Sequence, residues 1–199
     1  MRSIIGTFDR SKVTHMKTLN LTDADLLAFS EEHLLYELRL LLFTGQELGR
    51  PQSDLMRSVL IESFVVHLRN LIDFFHTPRA NADDVVAGDF CPGWNERISS
   101  WLDTAKKRAN KEVSHLTLGR KSGFDPNKPW DVGGLYQEVH AVAVKFAGLA
   151  SPAKLSAEVP KWLGTSHSNT IAVLAGMTIT NTTASVVTTA SVVTAPVGP

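Results

Sequence analysis

One stretch, residues 53–76, constrains the fold more than any other. Leu60, Phe64, Leu68, Leu71 and Phe75 follow one another by three or four residues, so all five fall on one side of a helix. Ser53 can cap its start, and Pro78 pushes Thr77 out of helical geometry, which sets the end near His76. Burying such side chains is worth roughly 1.5–3 kcal/mol each. A helix with this stripe belongs at the centre of a core.

The flanking segments follow the same period. Leu34, Leu35, Leu38, Leu41 and Leu42 define a helix expected to open at Ser30, with Glu31 and Glu32 in its first turn, and to stop at Gly45 or at Gly49-Arg50-Pro51. Thr22 to Phe29 is a weaker lead-in, either an extra turn or a short separate helix. Residues 80–93 read as a loop. A third helix is expected from near Trp94, through Ile98, Trp101, Leu102 and Ala105, towards Val113 and Leu116. Residues 119–129 form another loop. A fourth helix is expected from about Asp131 to Ala150 on Leu135, Val139, Val142, Val144 and Phe146. Nothing in residues 21–162 reads as a strand. The expected architecture is all-α: a four- to five-helix bundle over residues 21–150. Residues 1–20 form an N-terminal extension, optional if Met16 is the true start, and residues 151–199 form a linker and tail.

That tail changes character. After Lys161 there is no Asp, Glu, Lys or Arg, and Thr183-Ala-Ser-Val-Val-Thr188 is repeated at once from Thr189 to Thr194. Two copies are too few for a solenoid. The expectation is a disordered or extended Thr/Val-rich tail; the alternatives are a strand that pairs with a partner or a misread gene end.

Twenty acidic and twenty basic residues cancel, which excludes coating of nucleic acid by bulk charge. The single cysteine, Cys91, excludes an intramolecular disulfide framework. It precedes Pro92-Gly93 in a loop and reads as a structural thiol. No apolar run reaches the roughly 18 residues of a spanning helix, and the start lacks a secretory apolar core. These features predict a soluble cytoplasmic protein with no membrane partner.

The central helix also carries polar residues that packing does not need. Glu62, Arg69, Asp73 and His76 recur at helical spacing beside the apolar stripe, and His67 and Asn70 form a second pair three residues apart. An arginine can hold a phosphate by a forked pair of bonds, and a histidine two turns away can move a proton near neutral pH. Equally, Arg69 and Asp73 can be an ordinary helix ion pair. From Lys106 to Lys121 there are six bases and one acid, a local positive patch suited to a polyanion or simply a solvated face. His115 lies between Val113 and Leu116 and is expected to point inward or into a cleft. Glu112 and His115 make a single Glu-x-x-His pair, whereas a di-iron bundle needs two such pairs and two more glutamates; no metal or other cofactor is expected.

Two segments carry a resemblance. His67-Leu-Arg-Asn-Leu-Ile-Asp-Phe-Phe75, together with Asn110-Lys111 through His115-Leu116-Thr117 to Arg120, looks like a pattern of uncharacterised bacterial proteins over about residues 28–150. More loosely, the chain resembles the HEPN superfamily. Its mark is an arginine, a polar residue after it, and a histidine beyond a short spacer, here Arg69, Asn70 and His76. The resemblance implies a helical bundle that often forms a homodimer. It further implies a metal-independent ribonuclease or RNA-binding protein, of the kind found with antitoxin partners or in phage defence. On that reading Arg69, Asn70, Asp73, His76 and His115 are the catalytic set, with His115 able to replace His76 as proton carrier. Lys111 and Arg120 would contact backbone phosphates. The alternatives are a non-catalytic helical module that binds a protein or small ligand, and a metal-dependent hydrolase. Catalysis requires Arg69 and a histidine to face one cleft or dimer seam.

Overall fold

The structure, a computed structural model, describes residues 20–79, 81, 83–112, 130–165 and 178–179. Its first helix, α1 (Asp23–Phe29), opens before Ser30. The Thr22 hydroxyl accepts the Asp25 N–H at 3.2 Å, and the Asp25 carboxylate accepts the Thr22 N–H at 2.9 Å, a reciprocal cap. Ser30 is therefore not the cap expected from the sequence. It is buried and begins a π-helical turn, Ser30–Leu34, that runs directly into α2 (Leu35–Leu48). The reason is tertiary. Ser30 Oγ donates to the Leu27 carbonyl at 2.8 Å and accepts the backbone N–H of Ser156 at 2.9 Å. A hydroxyl able to start a helix instead satisfies a distant buried donor.

Residues 49–53 reverse the chain into α3 (Asp54–His76), whose limits agree with the sequence. The Ser53 hydroxyl accepts the Met56 N–H at 3.3 Å. Phe64, Leu68, Leu71 and Ile72 of α3 are buried; α2 lies along one side of it, and later helices pack against the others. The expected 80–93 loop contains a short helix, α4 (Ala87–Phe90), whose start is held by Asp89 accepting the Val86 N–H at 2.9 Å.

The next helix, α5 (Ser100–Glu112), begins later than Trp94. Gly93 takes a φ of 87°, which turns the chain. The Trp94 indole N–H then donates to the Phe75 carbonyl at 2.6 Å, satisfying an orphan at the end of α3. Ser99 supplies the cap instead, accepting the Leu102 N–H at 3.0 Å. Trp130–Asp131 (β1) pairs antiparallel with Thr178–Ile179 (β2), Trp130 opposite Ile179, a pairing not expected from the sequence. Helix α6 (Val132–Leu149) follows, with Asp131 accepting the Gly134 N–H at 2.9 Å. The stretch read as a linker folds into α7 (Glu158–Gly164) and buries Leu155, Val159 and Leu163.

Among the described residues the architecture is all-α apart from that two-residue pairing. The longer helices α2, α3, α5 and α6 form the bundle. An aromatic cluster closes one end: the rings of Phe74, Phe75, Phe90 and Trp94 each stand 5.5–5.7 Å from Phe146, mostly edge to face. The first nineteen residues and the repeated hexapeptide lie outside the described residues.

Two tests follow from the packing of α6. Tyr136 is buried, and its hydroxyl has no hydrogen-bond partner among the described residues. Burial pushes its phenol well above the ordinary range, because the charged form is desolvated. Tyrosine in the unfolded chain ionises near pH ~10. Above that pH the unfolded chain binds fewer protons than the folded one, so stability falls as pH rises. Denaturant titrations should show this alkaline loss in the wild type and not in Tyr136→Phe, whose stability at neutral pH is equal or higher. In the same assay Gly134→Ala should lose about 1–3 kcal/mol, because its Cβ would collide with Trp101 Cη2 and stand 2.7 Å from Asp131 Oδ2, the carboxylate that caps the helix.

Candidate functional site

A half-open cleft of about 560 Å3 lies where the π-helical turn and the start of α2 meet the second half of α3, Thr77, Pro78, Asn81 and residues 84–86. Phe29, Leu34, Leu71 and Phe74 give it apolar walls. Its polar lining is His33, Glu37, Arg69, Asn70, Asp73, Thr77, Asn81 and Asp84. Three of the expected site residues, Arg69, Asn70 and Asp73, therefore line one cavity.

Asp73 organises one wall. Its Oδ1 receives Lys106 Nζ of α5 at 2.5 Å and the Thr77 hydroxyl at 3.0 Å, while its Oδ2 lies 3.7 Å from Arg69 Nε. Lys106 also donates to Thr77 Oγ1 at 2.8 Å. Two cations thus share one carboxylate. The side chains of Arg69 and Asp73 keep 40% and 38% of their surface exposed, so the pair opens on the cleft rather than being sealed within the fold.

Glu37 organises the facing wall, and the sequence reading missed it. Its Oε2 lies 2.7 Å from His67 Nδ1, and Asn70 Nδ2 donates to its two oxygens at 3.2 and 3.3 Å. His67 is only 8% exposed, so the carboxylate serves a histidine largely removed from water. The signal was available: Glu37 interrupts the apolar run Leu34-Leu35-…-Leu38, and His67 and Asn70 form the polar pair on α3 that needs a partner.

His76 is not among the cleft residues. It is the last residue of α3, where residues 94–99 cross the helix end. Its Nδ1 donates to the Glu96 carbonyl at 3.1 Å, and its Nε2 is buried with no hydrogen-bond partner among the described residues. Helical spacing alone put it beside Arg69; the crossing segment turns it to another use. Glu62 is exposed and also stands apart from the cleft. Lys111 is exposed on the last turn of α5, while His115 and Arg120 lie outside the described residues. Of the rest of the basic run, Lys107 pairs with Asp103 at 2.5 Å and the Arg108 guanidinium stacks 3.9 Å over Trp130, while Lys121 lies outside the described residues.

Among the described residues no three His, Cys, Asp or Glu side chains converge as a metal site. Cys91 Sγ faces the Leu149 carbonyl at 3.7 Å. No helix among them is long and apolar enough to cross a membrane. Compared with known proteins, the chain matches no family model, no curated protein and no solved structure.

The Glu37 network has a measurable contribution. Glu37→Ala leaves His67 and Asn70 without their acceptor and should lower unfolding free energy by about 1–3 kcal/mol. Glu37→Gln, which keeps one acceptor oxygen, should lose less. Combining Glu37→Ala with Asn70→Ala should give clear non-additivity in urea melts, since the residues share one network.

Proposed function

We propose that this chain binds RNA and cleaves it without a metal ion, in the manner its HEPN-like segments imply. The observation that carries the reading is the Arg69–Asn70 step on the cleft wall, Arg69 half-buried and Asn70 exposed, with Arg69 flanked by a second cation, Lys106, across Asp73. The cleft acids do not argue against an anion, because each already holds donors. Asp73 takes Lys106, Glu37 takes His67 and Asn70, and Asp84 accepts the Asn81 N–H at 2.7 Å. A phosphodiester held by the Arg69 fork would have its developing negative charge met by donors fixed on the cleft wall. The ribose 2′-hydroxyl would attack phosphorus and leave a cyclic phosphate. Removing one such donor commonly costs 10²–10³-fold in rate.

A second reading has its own observation. A cleft of about 560 Å3 with apolar walls and the carboxylates of Glu37, Asp73 and Asp84 is of a size that holds a small molecule. A cationic ligand would compete for those carboxylates, and the protein would then be a binding module.

The test is incubation of a mixed RNA pool in EDTA with wild type and with Arg69→Ala. Cleavage by wild type, lowered at least 100-fold in Arg69→Ala, is the expected result. Absence of cleavage by either protein moves the assignment to the binding module. Equal cleavage by both removes Arg69 from the site.

A further inference from the structure

The histidine that works with Arg69 is a separate question. We infer that it is His33, an inference that rests on the RNA-cleaving reading of this cleft. Each other histidine described in the bundle is committed or placed elsewhere. His67 is largely buried and bound to Glu37 at 2.7 Å, His76 is turned to the Glu96 carbonyl at 3.1 Å, and His140 stands on α6 beside Tyr136. His33 lines the cleft with Arg69, Asn70 and Asp73, and it is exposed, so its ring can exchange protons with bulk water.

The backbone under His33 is unusual. It sits in the π-helical turn Ser30–Leu34, and such turns within α-helices are frequent at functional sites. The Phe29 ring stands 5.2 Å from the His33 ring, tilted 51° to it. The charged groups that share its cavity are Glu37, four residues on along the same helical run, Arg69 and Asp73 of α3, and Asp84 of the facing loop.

The step balances with water alone. His33 takes the proton of the ribose 2′-hydroxyl, and that oxygen forms a bond to phosphorus. The bond from phosphorus to the 5′ oxygen breaks, and this oxygen takes a proton from water. The imidazolium returns its proton to solvent. Arg69 offsets the charge that builds on the phosphate oxygens.

The experiment compares wild type, Arg69→Ala, His33→Ala and His76→Ala on the RNA pool in EDTA, across pH 5–8. Folding of each variant is checked by thermal melts. His33→Ala should lose about 100-fold or more in rate and with it the histidine limb of the pH profile. His76→Ala should retain activity and show only a lowered melting temperature. Retained cleavage in His33→Ala overturns the assignment and leaves the ribonuclease reading standing. A second readout does not depend on cleavage: titration of the His33 ring protons by NMR with inorganic phosphate. A shift that saturates in wild type and disappears in Arg69→Ala supports a joint His33–Arg69 anion site even if no RNA is cut. Absence of any shift in wild type overturns it.

Discussion

Asp73 is the residue on which the geometry of the cleft depends. One carboxylate gathers a lysine from α5, a hydroxyl from the residue that ends α3, and the guanidinium one turn back. It thereby joins two helices. It also holds Arg69 at a cavity mouth, where a lone arginine on an exposed helix face would sample many rotamers. The pairing is half exposed, so its worth lies in orientation more than in stability. A sealed pair would anchor the bundle and leave nothing for a ligand. An unpaired arginine would be available but unaimed.

Glu37 plays the complementary part on the opposite wall. It faces a histidine largely out of water, a setting in which an unmet donor is expensive and a met one is rigid. Glu37 therefore occupies His67 and Asn70, while Asp73 holds Lys106, Thr77 and, more loosely, Arg69 beside His33 on the cleft lining.

How much of this was legible in the sequence depends on how local each cause is. Helix α3 was readable at both ends because its stripe, its serine cap and the proline beyond it all lie within the segment. Arg69, Asn70 and Asp73 were readable as a group for the same reason, since helical spacing alone brings them together. The start of the first helix was misread because Ser30 has two possible uses, and a residue far along the chain decides between them. The start of α5 was misread because Trp94 is spent on a carbonyl at the end of α3. His76 shared a face with Arg69 on the helical wheel, but the crossing segment 94–99 has no local signature that says which side it covers. Glu37 was visible only as an oddity, a charge in a leucine run, until its partners on α3 were in place.

The bond between Ser30 and residue 156 divides the burden of inheritance unequally. The donor at 156 is a backbone N–H, which every amino acid but proline carries, whereas the acceptor at 30 is a side-chain oxygen that few residues can replace. Drift at 156 therefore passes unnoticed by this contact, and selection for the turn that carries His33 falls on position 30. Position 156 is held by its side chain on other grounds: Ser156 is buried, and its hydroxyl donates to Glu31 Oε2 at 3.4 Å and accepts the Glu158 N–H at 3.3 Å. A substitution there would cost those bonds while leaving the contact with Ser30 intact.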